Sequence, residues 1–499
     1  LKNAQVSRTH LRIGELLCVR SEAVWYILWS ALLLISAGNT LSYRPIFSGT
    51  LGFLFTVLLV TIAAMQLSPG IRFLSRKETV LAASLLCTFG AEQMMQLVST
   101  LELPPLYRGF DFSAYYLAAK VVSAAPARTL YDLPLYADGR MNLNASASFR
   151  SAWQTAAFHY HVPFAAPFIY PPFFAVVIKP LVYLSFDSAF IVWQILTVLL
   201  LGAAVMLSLK LPGIPVSRKL TLMLGVGLFS YYPFADGLFR GQTDCLILFL
   251  LAAGVWLLAQ NQNSLSALSF AVATVLKLTP TLAIPLLIVH RRWKWLAAYA
   301  AWMCGLAIFS VYQAGWAMQW QFWRVVLPSI SCGSPTAQNS SLVAYVQELF
   351  LRQVPNGAPV TIPLHACAVS RVVASALYAL FLARFYLRRR DGELVRDLCL
   401  MILLELAVSP ISWWHHYTIA LLPFLYLWCT LPMKRARTLL ALFLLVATNV
   451  VGYSLLLTQN HRLQLILAAI VPGLTLLLVY LTLAPRQEAP GTHTAFAAQ

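Results

Sequence analysis

Only a few residues in this chain could do chemistry, and Asp111 comes first among them. It stands in Gly109-Phe110-Asp111-Phe112-Ser113-Ala114-Tyr115-Tyr116. A single carboxylate among aromatic rings could take a proton from a hydroxyl. The competing role is a helix N-cap that bonds its own backbone. The aromatic neighbours suit either, because Tyr and Phe belong at membrane interfaces whatever the chemistry. A second group, Arg240-Gly241-Gln242-Thr243-Asp244, follows Tyr231, Tyr232, Pro233 and Asp236. A buried Arg beside amides and hydroxyls cradles phosphate, whereas an interfacial turn with a snorkelling Arg has no such role. Lys277, in Leu276-Lys277-Leu278-Thr279-Pro280, is an ammonium in an apolar stretch, costly there unless paired or hydrated. Ser409-Pro410-Ile411-Ser412-Trp413-Trp414-His415-His416-Tyr417 pairs two imidazoles with aromatics and could bind metal, shuttle protons or hold an anionic head group. Gln338-Asn339-Ser340-Ser341 is a weaker polar group that also fits ordinary loop polarity.

The absences narrow the chemistry. The chain has no Walker loop, no GxGxxG after a strand, no HExxH and no GxSxG. It also lacks an Asp-x-Asp pair that would hold a metal-bound nucleotide sugar. Zinc is disfavoured, since adjacent His residues with no Cys and no third ligand at a recognised spacing are not a metal signature. A sugar donor, if one is used, is expected to be lipid-linked and approached from within the bilayer.

The elements that must position these residues follow from composition. The 499 residues are 60% hydrophobic and only 10% charged, with a mean hydropathy of +0.73. Soluble domains carry about 25% charged residues, so this is a polytopic membrane protein and neither a soluble globule nor a single-pass receptor. The net charge of +18 suggests nucleic acid only until the basic residues are located. They fall in tight groups between apolar stretches: Arg72, Arg76, Lys77; Lys210, Arg218, Lys219; Arg291, Arg292, Lys294; Arg388, Arg389, Arg390; Lys434, Arg435, Arg437. That is positive-inside patterning, and nucleic-acid binding falls away.

A span needs about 20 apolar residues. An amphipathic basic N-terminus, 1–22, with no evident cleavable signal, is expected to stay cytoplasmic. Three helices follow within 23–100, near 24–42, 49–68 and 79–100. They deliver 101–167 to the outer face as a large extracytoplasmic catalytic loop. Central helices fill 168–315. Of the segments near 168–184 and 188–209, one is expected to be broken or re-entrant; 220–239 then runs outward and 243–260 returns. Ser264–His290 must leave and come back within about 26 residues, too few for two spans, so a half-helix pair broken at Leu278-Thr279-Pro280 is expected. Irregular backbone at membrane depth survives only against protein or a wet cavity. A helix near 295–315, a second outer loop at 316–361, C-terminal helices within 362–485 (near 363–386, 393–409, 417–431, 437–457 and 463–484) and a cytoplasmic tail at 486–499 complete the chain. The fold class is therefore all-α, a helical bundle of about 11–13 membrane segments. Most cysteines read as small core side chains, and Cys332 with Cys367 is the one pair placed to meet outside the membrane.

Taken in order, Asp111…Tyr115-Tyr116, Leu130-Tyr131-Asp132, Tyr170-Pro171-Pro172, Gly241-Gln242, Lys277-Leu278-Thr279-Pro280 with Arg291-Arg292-Trp293, and Ser409-Pro410…Trp414-His415-His416 resemble the family 87 glycosyltransferases. These are integral-membrane enzymes of the GT-C fold, similar to polyprenol-phosphate-mannose-dependent mannosyltransferases. The likeness covers about 100–420. The chain departs from the family at Asp244, where Asn is commoner, and in its first two helices, which look like an addition. The resemblance implies inverting transfer of a sugar, mannose by analogy, from a polyprenyl-phosphate donor to an acceptor hydroxyl on a glycolipid at the extracytoplasmic face of a bacterial cytoplasmic membrane. Asp111 would be the general base, and no general acid is needed because the phosphate leaves readily. Lys277, Arg240, His415 and His416 would stabilise the departing phosphate. Tyr115, Tyr116, Tyr170, Gln242, Asp244, Asn339 and Trp414 would line the substrate and lipid groove. No cofactor or metal is expected on this reading. Two alternatives remain open: a transporter or flippase for a lipid-linked saccharide, since broken helices with an embedded Lys also suit transport, and a glycan ligase or polymerase of the same fold. The sequence does not speak to oligomeric state.

Overall fold

In the computed structural model, residues 26–41, 108–124, 152–214, 216–334, 339–351, 362–388, 393–430 and 461–483 are described, with isolated positions between 78 and 90 and between 130 and 136. The expected helices near 49–68 and 437–457, both chain termini, the first and last basic groups and Gln338 lie outside the described residues. The protein is an all-α polytopic membrane protein. In chain order its helices are α1 (Tyr26–Leu41), α2 (Phe110–Ser123), α3 (Ala152–His159), α4 (Pro172–Ile178), α5 (Phe186–Leu209), α6 (Arg218–Phe229), α7 (Tyr232–Arg240), α8 (Asp244–Ala259), α9 (Asn263–Leu276), α10 (Ile284–Val289), α11 (Trp293–Ala314), α12 (Trp316–Gln321), α13 (Leu327–Ile330), α14 (Leu342–Glu348), α15 (Leu364–Arg388), α16 (Leu394–Val408), α17 (Leu421–Thr430) and α18 (His461–Thr482). Among the described residues, α5, α11 and α15 are long and apolar enough to cross a membrane alone, and α6 with α7 makes a fourth candidate, bent by 52°.

The breaks decide how the site is built. The expected interruption after α9 is present: Lys277 is extended at φ −149° and ψ 117°, a 3-10 turn spans Thr279–Ala283 with Pro280 in its first turn, and α10 follows. Proline cannot continue a helix that needs its N–H. Of 168–184 and 188–209, the first is the broken one. It forms only α4 and a 3-10 turn at Lys179–Tyr183 that carries Pro180. The second is the unbroken α5, capped by Ser185 Oγ accepting from the Ser188 N–H.

One expectation gains detail and one needs correction. The segment 220–239 is divided in two. It bends between α6 and α7 at Ser230 and Tyr231, and Pro233 opens α7. The segment expected as a helix over 417–431 begins as a 3-10 stretch at Trp414–Ala420 before α17 takes over, which carries both imidazoles in a tighter winding.

Packing is close around α8, which lies against α5 and α9, while α9 lies against α11. Polar links tie the last three together: Ser266 Oγ donates to the Gly254 carbonyl at 2.7 Å, Trp295 Nε1 donates to Ser266 Oγ at 2.9 Å, and the Tyr299 hydroxyl donates to Thr274 at 3.0 Å. In lipid such bonds replace the hydrophobic drive that water would supply. Cys332 and Cys367 are joined by a disulfide, as the sequence allowed.

Candidate active site

The site forms where the start of α2, the end of α7, the start of α8, the break after α9 and the 3-10 stretch Trp414–Ala420 come together. Glycine makes the approach possible. Gly109 caps α2 at φ 71°, and its N–H donates to the Phe239 carbonyl at 2.9 Å, pinning α2 to the end of α7. Gly241 ends α7 at φ 76°, and an added Cβ would stand 2.6 Å from Phe112 Cβ. Its carbonyl accepts from Trp193 Nε1 at 2.8 Å.

Asp111 is not the N-cap. That position belongs to Gly109, and no side chain caps the helix. Asp111 instead sits in the first turn, with Oδ2 sealed from solvent and without a hydrogen-bond partner. Burial pushes its carboxyl above the ordinary value of 3.8, opposed by His415, by Arg240 and by a hydrogen bond from Gln242. Gln242 is held for that task. Its Oε1 accepts the Tyr115 hydroxyl at 2.9 Å and the Tyr170 hydroxyl at 3.3 Å, and the two phenols are 3.0 Å apart. Both phenols are raised by burial, so they serve as neutral donors.

Asp236 is the residue that assigning roles from sequence missed. Its Oδ1 accepts from Arg240 Nε at 2.8 Å, and its Oδ2 lies 3.2 Å from His415 Nδ1. The i, i+4 spacing of Asp236 and Arg240 on one helix was the available signal. Lys277 donates to Asp244 Oδ1 at 2.9 Å, so the costly ammonium is paired. Asp244, His415, His416 and Lys277 are 2%, 5%, 6% and 9% exposed. Burial first, then Lys277 and His415, holds His416 well below the ordinary imidazole range. Glu405 lies near Lys277 and bonds Thr279. It is a lone carboxylate in an apolar run, where an unpaired charge is costly.

Two proposed lining residues are engaged elsewhere. The Tyr116 hydroxyl donates to the Leu184 carbonyl at 2.7 Å, tying α2 to the chain before α5. Asn339 acts as a clamp: Nδ2 donates to the Ser334 and Pro410 carbonyls at 2.9 and 3.0 Å, and Oδ1 accepts from the Ser412 N–H at 2.8 Å. It also pairs with Trp413 in an isolated antiparallel bridge, so it fixes the loop that delivers the His pair. Trp414 is buried with its indole N–H unpartnered.

Several buried polar atoms of these motifs have no partner: Asp111 Oδ2, Thr243 Oγ1, Asp244 Oδ2, Trp414 Nε1, His415 Nε2 and Thr418 Oγ1. Buried polar groups are nearly always satisfied, so orphans gathered in a few neighbouring motifs mark a place for a polar ligand. The fold also supplies the third potential metal ligand that spacing did not show. One ligand-type atom from each of Asp244, His415 and His416 lies within 4.8 Å of the others.

Residues 168–410 match the sequence model of Glycosyltransferase family 87. The chain is 28% identical over 261 residues to the polyprenol-phosphate-mannose-dependent alpha-(1-2)-phosphatidylinositol pentamannoside mannosyltransferase of Mycolicibacterium smegmatis, covering 51% of this chain and 59% of that protein. It is 28% identical over 257 residues to the protein of the same name from Mycobacterium tuberculosis, covering 51% and 56%. A polyprenol-phosphate-mannose-dependent alpha-(1-2)-phosphatidylinositol mannoside mannosyltransferase of M. tuberculosis is 23% identical over 327 residues, covering 61% and 72%. The chain thus spans under three fifths of the length of the first two relatives.

Proposed function

From the match of residues 168–410 to the sequence model of glycosyltransferase family 87, we propose an inverting membrane glycosyltransferase that moves a sugar, mannose by analogy with the relatives, from a polyprenyl-phosphate donor to a glycolipid hydroxyl. The observation that carries this reading is Asp111 Oδ2, a buried carboxylate oxygen with no partner in the protein, among groups that can hold a charged donor. Asp111 takes the proton of the acceptor hydroxyl as that oxygen attacks the anomeric carbon. The bond to the phosphate breaks on the opposite face, and the phosphate departs as an anion without needing a proton.

Lys277 and Arg240 supply positive charge where the leaving phosphate gains negative charge. In a site shielded from water that charge is worth more than it would be in solution. Their own carboxylate partners, Asp244 and Asp236, keep them in place before the donor arrives. Gln242, locked by Tyr115 and Tyr170, steers the Asp111 carboxylate. Tyr170 and Trp414 line the sugar or the lipid stem. The site faces outward, supported by the positive-inside order of the basic groups and by the Cys332–Cys367 disulfide, a bond that persists in oxidising compartments. A bacterial cytoplasmic membrane is the proposed setting.

The test supplies radiolabelled polyprenyl-phosphate mannose and polyprenyl-phosphate arabinose, separately, to purified protein with a lipid extract. Labelled glycolipid from mannose alone is the expected result. Product from arabinose alone corrects the donor, and no product from either sinks the transferase reading.

A further inference from the structure

Asp244 at the start of α8 and the two imidazoles of the 3-10 stretch meet far from their places in the sequence, and each is held from behind. His415 has Nδ1 against the Asp236 carboxylate at 3.2 Å, so Nδ1 is the nitrogen that donates and Nε2 is the one left to face a ligand. Nε2 is sealed and unpartnered. His416 bonds the Ile411 carbonyl, which occupies one ring N–H and leaves the lone pair of the other nitrogen available. Asp244 gives Oδ1 to Lys277, while Oδ2 is sealed and unpartnered. One imidazole backed by a carboxylate, one backed by a backbone carbonyl and a carboxylate tethered through one oxygen make up the outer shell that fixes tautomer and direction in metal sites.

Charge points the same way. Around His415 the three carboxylates of Asp111, Asp236 and Asp244 outnumber the two cations of Arg240 and Lys277, and a phosphate-bearing donor adds negative charge. The unpartnered Asp244 Oδ2 also repels an anion placed beside it. Something positive fits there, and Lys277 does not fill the role, because it sits on the other oxygen of Asp244.

We propose that Asp244, His415 and His416 form a divalent-cation site, with Asp244 Oδ2, His415 Nε2 and one nitrogen of His416 as ligands and the remaining positions open to water or to phosphate oxygens. Two imidazoles and one carboxylate suit Zn²⁺ or Mn²⁺ better than Mg²⁺ or Ca²⁺. Asp236 is then the positioning residue behind His415, and the cation, together with Lys277, faces the donor phosphate. Cation binding does not depend on the transfer reaction, so it is measured without substrate, and its failure is separate from a failure of the function proposed above.

The experiment strips full-length protein in detergent with EDTA, reloads it with Zn²⁺ or Mn²⁺, removes excess ion on a desalting column and counts metal by inductively coupled plasma mass spectrometry. About one cation per chain is expected, the count of a single three-ligand site. Asp244→Asn, His415→Gln and His416→Gln should each lower retention, and Asp236→Asn should weaken affinity roughly 10- to 100-fold with all ligands present. Should a variant fail to fold, the wild-type protein loaded with Mn²⁺ still reports, because pulsed electron paramagnetic resonance detects coordinated imidazole nitrogen directly. Metal at background in the wild type, equal retention in folded variants lacking the ligands, or Mn²⁺ without imidazole coupling overturns the site and leaves His415 as a direct phosphate contact.

Discussion

Gly241→Ala tests whether the turn between α7 and α8 sets the approach of Asp111 to the other polar groups. At φ 76° an L side chain costs about 1–2 kcal/mol in the left-handed region. The new Cβ would also lie 2.6 Å from Phe112 Cβ and 2.9 Å from Phe190 Cε2. The Phe190 ring can turn aside, but a Cβ moves only with its backbone, so α2 and the turn must part. Overpacking of that kind costs about 1–3 kcal/mol, for a total of about 2–5 kcal/mol. Phe112 adjoins Asp111, and Gln242 adjoins Gly241, so the strain separates the proposed base from the amide that steers it. A misplacement of about 1 Å can cost 100-fold in rate. The assay measures sugar transfer and thermal stability in one detergent. Gly305→Ala is the control: this glycine lies within α11, and a Cβ there meets nothing within 4 Å, so the change should be neutral or slightly stabilising. Should Gly241→Ala match the parent in both stability and transfer, the close approach argued here is wrong.

Burial raises Asp111 above 3.8, and the base must be ionised. Transfer should therefore be lost as pH falls through that raised value, with the acid limb of kcat/KM above the range of an ordinary aspartate; a limb at or below it contradicts the assignment. Asn339→Leu leaves the Ser334 and Pro410 carbonyls and the Ser412 N–H without their partner, at about 1–3 kcal/mol for each buried group. It should speed proteolysis near 331–341 and lower the melting temperature, whereas lost transfer with unchanged stability would mark Asn339 as a substrate contact. The Cys332–Cys367 bond closes a separation of 35 residues, worth roughly 3–4 kcal/mol by loop entropy. Reductant or Cys332→Ser with Cys367→Ser should lower thermal stability, and an unchanged melting curve counts against the bond.

Local breaks were legible from sequence, while contacts across the chain were not. Lys277-Leu278-Thr279-Pro280 announced its break because proline and a buried ammonium both disfavour a continuous apolar helix there. The bend at Ser230 and Tyr231 was hidden because the hydropathy runs through it and Pro233 is tolerated in the first turn of the helix that follows. The His pair was visible as an oddity between two apolar stretches. Asp236, by contrast, gained its meaning from His415, brought to it by tertiary packing. Asp244 joined the imidazoles in the same way, so an argument from ligand spacing could not see the third potential ligand. Backbone carbonyls claim the Tyr116 hydroxyl and the Asn339 amide nitrogen, which side-chain type alone does not reveal.

In the proposed mechanism Asp111 removes the acceptor proton. The most direct test is Asp111→Asn, assayed for transfer beside the parent with the same donor and lipid acceptor. The substitution keeps the shape of the side chain and removes only its basicity. Because the native site raises the carboxyl's pKa, ionised Asp111 costs stability above that value, so the variant should fold at least as well as the parent. Turnover should fall about 100- to 10,000-fold while the elution profile and melting temperature hold. Near-normal turnover by the folded variant would contradict that role.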